Sequence, residues 1–164
     1  MNHTPGRLAR EQPAVSRRNA EPRRSRTPAR RVVVGVDGSA GSAAALQWAA
    51  AEACRRQVAL RIVSAWEEPD PAEPGSRSSD RVQIAAARVQ TALASVLGRP
   101  HLPRQVACAA AEGQTGKVLL DQADNADLLV LGITRLGTEL APGPVGRYCL
   151  RHARGPVVFV PGPA

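Results

Sequence analysis

Short runs of aliphatic residues alternate along this chain with longer amphipathic segments. The first run, residues 32–37, has no polar alternation, which is typical of a strand buried on both faces. A turn over residues 38–41 and a capping hydroxyl at Ser42 then precede a segment without helix breakers. The same unit recurs to the end of the chain. The pattern predicts strands at residues 58–66, 105–111, 127–132 and 156–160, and helices at residues 43–56, 80–97, 116–124 and 145–153.

This alternation predicts an α/β fold, with an open parallel sheet covered by helices on both faces. Alanine, valine and leucine must build its core, because only four residues of the 164 are aromatic. In the second helix we expect one apolar stripe to face the sheet, formed by Val82, Ala86, Val89, Leu93 and Val96. Ligands of such sheets bind at the carboxyl ends of the strands. The segments of interest are therefore residues 37–41, 65–66, 112–115 and 132–146.

Charge is distributed unevenly along the chain. Residues 1–31 hold nine of the 22 Lys and Arg but two of the 14 Asp and Glu, so the remainder is close to neutral. A nucleic-acid-binding domain carries its basic excess on the folded face that meets phosphate, and this pattern does not favour one here. We interpret residues 1–30 as a disordered Arg-rich tail that binds polyanions weakly and without sequence preference. The folded domain is predicted over residues 31–161.

The cysteines and the apolar segments indicate the cellular compartment in which the protein is expected. Cys54, Cys108 and Cys149 lie far apart, which is typical of neither a disulfide framework nor a paired zinc or redox motif, and we interpret them as small buried hydrophobic residues. No apolar run approaches the roughly 18 residues of a membrane span. No hydrophobic segment near Met1 has the character of a signal peptide. The expected location is the cytoplasm, with no membrane partner.

The strand ends do not match three common catalytic or cofactor motifs. Residues 37–41 differ from the G-x-S-x-G nucleophile elbow at its first glycine, where Asp37 stands, so Ser39 is interpreted as a turn or capping residue. The first strand is not followed by the G-x-G-x-x-G of dinucleotide-binding proteins. The three histidines lack the spacing of metal ligands. No catalytic residue and no metal ligand is assigned.

The loop after the fourth strand favours phosphate or nucleotide binding. Gly132 ends that strand, Gly143 lies near the end of the loop, and a helix begins near Pro144, where the helix N-terminus attracts anions. In this context the chain resembles the universal stress protein family. The resemblance covers residues 31–161 in order and is carried by VGVDGS at 34–39, AW at 65–66, EG at 112–113, DLLVLG at 127–132, LRHA at 150–153 and GPVV at 155–158.

The resemblance implies a Rossmann-like sheet of five strands in the order 3-2-1-4-5, commonly in a homodimer joined through the last strand. Family members that bind ATP carry G-x-x-G, nine residues and then G-[ST] after strand four. Here Gly132 matches the first glycine and Arg135 stands at the second. Eleven positions instead of thirteen separate Gly132 from Gly143, and Pro144 replaces the Ser or Thr. The ATP loop is therefore degraded.

Pro144 removes a hydroxyl and a backbone N–H that could face phosphate. Hydrogen bonds to charged groups contribute roughly 1.5 to 3 kcal/mol each, so the loss of two weakens binding by about two to four orders of magnitude. The resemblance still carries over other residues of the pocket. Asp37 matches the acidic residue on the ribose and metal side, and Ala65 and Leu131 match positions lining adenine, while Val145 and Gly146 follow the loop.

These observations favour a non-enzymatic regulatory or protective binding module of the stress response. No cofactor is assigned firmly, and ATP or another adenine nucleotide is the candidate. Two alternatives remain: an ATP-binding switch with slow ATP turnover, and a nucleic-acid-associated protein that acts through its Arg-rich tail. For the site itself, the alternative is that Asp37 caps a turn and that Gly132, Gly143 and Gly146 serve backbone geometry.

Overall fold

A computed structural model describes residues 30–68, 77–133, 135–136 and 139–163. The predicted tail, residues 1–30, lies outside these ranges apart from Arg30. Its disorder, its binding of polyanions and the domain boundary therefore remain predictions. Arg30 itself forms an ion pair with Asp127, with 3.5 Å between the guanidinium Nε and the carboxylate Oδ2.

Strands and helices alternate as the sequence predicts. The main sheet contains β1 (Arg31–Gly35), β2 (Ala59–Trp66), β3 (Val106–Glu112), β4 (Leu128–Ile133) and β7 (Val157–Pro161). The helices are α1 (Ala40–Arg56), α2 (Ser78–Leu97), α3 (Thr115–Gln122) and α4 (Pro144–His152). Between β4 and α4, β5 (Arg135–Leu136) and β6 (Glu139–Leu140) form a short antiparallel pair.

All pairs in the main sheet are parallel, and the strand order is β3-β2-β1-β4-β7. Because β7 is the fifth strand of this sheet, the predicted α/β fold and the order 3-2-1-4-5 are confirmed. The order reverses beside β1, which pairs with β2 on one side and with β4 on the other. The crevice for a ligand is expected at the carboxyl end of that strand.

Two apolar cores cover the two faces of the sheet. Val32 and Val34 of β1 pack in a core with α1 and α2, whereas Val33 packs in a second core with α3 and α4. The first core is lined by fully buried alanines of α1, namely Ala45, Ala49, Ala50 and Ala53. Small side chains therefore let α1 approach the sheet closely, as the composition predicts.

The predicted sheet-facing stripe of α2 is partly wrong. The buried residues of α2 are Ala85, Val89, Ala92 and Val96. Val82 is instead 37% exposed, and Ala86 and Leu93 are half-buried. The predicted and observed stripes share Val89 and Val96, but Ala85 and Ala92 complete the buried stripe, and the larger Val82 and Leu93 lie at its flanks.

Smaller features also differ from the predictions. Ser39 caps α1 by accepting a hydrogen bond from the Ser42 N–H, so the predicted cap at Ser42 is wrong and the interpretation of Ser39 is confirmed. Cys149 is buried, whereas Cys54 and Cys108 are half-buried. None of the described helices has both the length and the apolar content needed to cross a bilayer.

Candidate functional site

A cavity of about 550 Å³ opens at the carboxyl ends of the strands, where the strand order reverses. Its volume lies within the roughly 300 to 1,000 Å³ typical of small-molecule sites. The structure brings all seven predicted site residues together in its lining: Asp37, Ala65, Leu131, Gly132, Gly143, Val145 and Gly146. Their contact with a ligand remains a proposal.

One wall of the cavity is apolar. It contains Val63 and Ala65 of β2, Leu119 of α3 and Leu131 of β4. Val63, Leu119 and Leu131 also belong to the core beneath the sheet, which fixes their positions. This wall is suited to a flat apolar group. The polar lining comes instead from the loop after β1, from α2 and from the first residues of α3 and α4.

Asp37 is held in the turn between β1 and α1. Its Oδ1 accepts a hydrogen bond of 2.9 Å from the Ser39 N–H, and its own N–H donates to the Ser42 hydroxyl at 3.4 Å. Gly38 provides the positive φ, 86°, that this turn requires. Burial alone would raise the pKa of Asp37, but hydrogen bonds from Ser39 and Ser42 and the charge of Arg88 together lower it below its ordinary value. Asp37 therefore caps the turn and stays ionised at neutral pH.

The helices around the cavity differ in how their N-termini are satisfied. Ser39 caps α1. The first N–H of α3, at Thr115, donates to the Glu67 carboxylate at 3.2 Å. By contrast, α4 has Gly143 at its N-cap, no side-chain cap hydrogen bond and no acidic residue in its first turn. Among the described residues, the α4 N-terminus therefore has no side-chain cap that competes with an external anion for its first amides.

Pro144 occupies the first position of α4, where proline suits the helix but offers no N–H. The amides of Val145 and Gly146 follow it, and both residues line the cavity. Two backbone N–H donors therefore remain at the N-terminus of α4, where a residue other than proline at position 144 would give three. The side chain of Arg135, which stands at the second glycine of the family pattern, lies outside the described part of the chain, as does Gly137 in the same loop.

The three cavity glycines have different structural roles. A Cβ on Gly132 would lie 2.3 Å from the carbonyl carbon of Gly41, so glycine is required for α1 to pack against β4. A Cβ on Gly146 would lie 2.8 Å from Cβ of Pro142 and 2.9 Å from the Phe159 ring. Among the described residues nothing lies within 4 Å of a Cβ on Gly143, and its φ of −65° is accessible to any residue. Packing therefore accounts for Gly132 and Gly146 but not for Gly143.

Arg88 is the functional candidate that the sequence analysis missed. It lies in the middle of α2, yet its half-buried side chain lines the cavity beside the turn at Gly38. No local motif marks it, because its position depends on how α2 rotates against the sheet. Thr115, which also lines the cavity, falls within the strand-end segment that the sequence singled out. In the described residues no group of three or more His, Cys, Asp or Glu could hold a metal ion.

Comparison with known proteins agrees with this architecture. The model of the universal stress protein family matches residues 28–161. A universal stress protein of Mycobacterium tuberculosis H37Rv is 31% identical over 153 residues, covering 79% of this chain and 47% of the relative. One from Mycolicibacterium smegmatis is 28% identical over 141 residues, covering 80% of this chain and 48% of the relative. The chain thus spans about half the length of these curated relatives.

Comparison with solved structures also finds universal stress proteins. A universal stress protein in complex with cAMP is 26% identical, with a TM-score of 0.60, covering 80% of this chain and 96% of that one. The universal stress protein of Archaeoglobus fulgidus shares the fold, with a TM-score of 0.65 at 22% identity, covering 80% of this chain and 98% of that one. Because the family model spans nearly all of the described residues, the chain belongs to the universal stress protein family.

Proposed function

We propose that this chain is a non-enzymatic binding module of the stress response, whose cavity holds an adenine nucleotide with one phosphate and binds ATP weakly or not at all. One observation carries the proposal: the open N-terminus of α4, the apolar wall and Asp37 all border the same cavity. These are an anion site, a surface for a flat base and an acceptor for ribose hydroxyls.

The cavity supports an adenine nucleotide in two ways. Ala65 and Leu131 provide apolar surface for a base, and the ionised Asp37 provides an acceptor of the kind that a ribose requires. The related protein solved with cAMP shows that a member of the family with 26% identity binds a cyclic nucleotide. By analogy, we infer a mononucleotide here.

The loop between β4 and α4 argues against a triphosphate. Eleven positions separate Gly132 from Gly143, and some of them pair with one another, since Arg135 and Leu136 pair with Leu140 and Glu139. Backbone used in this pairing does not wrap around phosphates. Pro144 also withholds the first N–H of α4. One phosphate can still be held by the amides of Val145 and Gly146.

The polar groups of the cavity also support a binding role. A hydroxyl nucleophile needs an adjacent general base. The described cavity residues with hydroxyls are Ser39, Ser42 and Thr115, and those with ionisable side chains are Asp37 and Arg88. The lowered pKa of Asp37 makes it a weak base. The Ser42 hydroxyl donates to the Ser39 carbonyl at 3.0 Å and is committed to the cap.

Calorimetric titration with AMP, cAMP and ATP tests this proposal. We expect AMP and cAMP to bind at the cavity and ATP to bind at least about tenfold more weakly, because the short loop and Pro144 leave the additional phosphates fewer donors to offset their desolvation. Tightest binding by ATP would instead favour the ATP switch, especially if ADP accumulates. No binding of any of these nucleotides would contradict the proposed function.

We further propose a homodimer joined through β7. Within the described chain, β7 pairs with β4 alone, and the backbone groups of its other edge need a partner. We expect exposed apolar residues of α4 and α1 to flank this edge. Leu150 of α4 is 54% exposed. The ring of Tyr148 packs on Gly116 of α3, so the opposite side of α4, where Leu150 lies, faces away from α3. Trp48 of α1, 38% exposed, is two helical turns from Gly41, which contacts Ile133 at the end of β4.

Sedimentation at concentrations on the order of tens of micromolar should give twice the chain mass of 17.3 kDa. Leu150→Glu should shift the protein toward the monomer, because it introduces a charge beside the paired edges. Leu102→Glu is the matched control, since Leu102 is 50% exposed but lies in the loop before β3. A monomeric unmodified chain, or equal effects of the two variants, would contradict this interface.

We also propose that the protein resides in the cytoplasm. Cys54, Cys108 and Cys149 are all free, as a reducing compartment would keep them. This compartment suits the proposed ligand, because adenine nucleotides are abundant there.

A further inference from the structure

Arg88 lines the cavity without an ion-pair partner among the described residues. No salt bridge there includes it, although its charge helps to lower the pKa of Asp37. The side chain is half-buried, and its Nε lies 3.6 Å from the position of a Cβ on Gly38, directly beside the Asp37 turn. A guanidinium offers five N–H donors. In this cavity those donors are available to a ligand.

Several other arginines of the described chain have their donors engaged within the protein. Arg55 and Arg56 pair with Glu52 across one turn of α1. Arg61 donates to the side chain of Gln122, and Arg31 donates to the backbone carbonyls of Gln122 and Asp124. Arg88 differs from these four because it lines the cavity, and the charge it acts on there, that of Asp37, belongs to the proposed ligand site itself.

The charge of Asp37 creates a difficulty for a phosphate ligand. Among the described cavity residues Asp37 carries the one carboxylate, and it repels a phosphate that enters the same cavity. Nucleotide sites commonly resolve such repulsion with Mg²⁺, which is held by one or two carboxylates together with phosphate oxygens. Here a cation, Arg88, lines the same cavity and already acts on the carboxylate through its charge, without an ion pair between them among the described residues. A metal ion at Asp37 would have to approach against the charge of that guanidinium.

Arginine is well suited to this position. Its planar guanidinium binds phosphate oxygens through two parallel hydrogen bonds and keeps its charge at any physiological pH. We propose that Arg88 binds the phosphate of the nucleotide and acts beside Asp37 in place of a divalent cation, so that the cavity binds a mononucleotide without metal. This inference rests on the proposed function and adds to it a binding residue and the expectation that binding needs no metal ion.

Titration with AMP in EDTA and in excess Mg²⁺ tests the inference. For the unmodified chain we expect the same affinity within about twofold in both buffers. Arg88→Gln should lower the affinity in EDTA by about tenfold to 100-fold, the effect of losing a charged hydrogen-bond donor. Mg²⁺ should restore part of that loss, because Asp37 becomes free to hold it. Arg81→Gln is the matched control, since Arg81 lies on the same helix but does not line the cavity.

The outcomes separate this inference from the proposed function. If the unmodified chain does not bind AMP in either buffer, the proposed function is wrong and the role of Arg88 falls with it. If it binds AMP only with Mg²⁺, or if Arg88→Gln binds as tightly as the unmodified chain in EDTA, the role of Arg88 alone is wrong. Arg88→Lys gives an independent test if Arg88→Gln does not fold. The lysine variant keeps the positive charge and should still bind AMP in EDTA. If it bound AMP only with Mg²⁺, the inference would be contradicted.

Discussion

Replacing Gly132 by serine is expected to destabilise the fold by about 1 to 3 kcal/mol or more, whereas the same replacement at Gly143 should leave stability unchanged or slightly higher. A Cβ on Gly132 would lie 2.3 to 2.5 Å from the backbone of Gly41 and Ser42, so the N-terminus of α1 would have to move. At Gly143 a side chain meets open space, and a serine hydroxyl there can cap α4. Both glycines line the same cavity.

Denaturant unfolding of the two serine variants measures this difference in free energy. Nucleotide titration of Gly143→Ser adds a second readout, because a hydroxyl that caps α4 competes with phosphate for the amides of Val145 and Gly146. We expect a folded protein with weakened AMP binding. Equal destabilisation by the two substitutions would show that Gly143 also serves packing. Unchanged AMP affinity in Gly143→Ser would indicate that phosphate binds elsewhere.

The second large effect is expected at Pro144. Pro144→Ala restores one N–H at the start of α4, and Pro144→Ser restores the N–H and adds a hydroxyl. Each new hydrogen bond to phosphate should raise AMP affinity by about tenfold to 100-fold, so the serine variant should bind AMP more tightly than the alanine variant. ATP affinity should gain less, because the loop stays two residues short of the family pattern.

Titration of the two Pro144 variants with AMP and ATP checks this ordering. Addition of Arg135→Gly should extend the improvement for AMP and ADP. Insertion of two residues between Gly137 and Gly143 should be needed before ATP binds well. If Pro144→Ser gained as much affinity for ATP as for AMP, loop length would not limit triphosphate binding, and the comparison of this loop with the family pattern would be wrong.

The main features of the fold could be predicted because the signals are local. Unalternated runs such as residues 32–37 indicate strands buried on both faces, and helices without breakers connect them. The face of α2 could not be predicted with the same accuracy. Two possible apolar stripes on α2 share Val89 and Val96. Only packing against the sheet decides that the stripe containing the buried alanines faces it. The β5–β6 pair was missed because strands of two residues carry no periodic signal.

The difference between local signals and tertiary contacts also decides which residues of the site could be predicted. Asp37 and Ala65 could be located from sequence because they lie at or near the carboxyl ends of parallel strands, which meet at one edge of the sheet, whereas Leu131 was implied by the family resemblance. Arg88 could not, because it enters the cavity from the middle of a helix 51 positions beyond Asp37. The structural role of Gly132 also depends on tertiary contact, since Gly41 is distant from it in sequence.

Amide chemical-shift mapping of the isotopically labelled protein with AMP tests the central claim most directly. The largest changes are predicted around this cavity, at Gly132, Val145 and Gly146, with a further change at Arg88. A second cleft, between α3 and α4, is lined by residues that include Asn125, Tyr148 and Gly155 and serves as the internal comparison. Changes concentrated there, or no saturable change at the α4 N-terminus, would contradict the assignment of the nucleotide site.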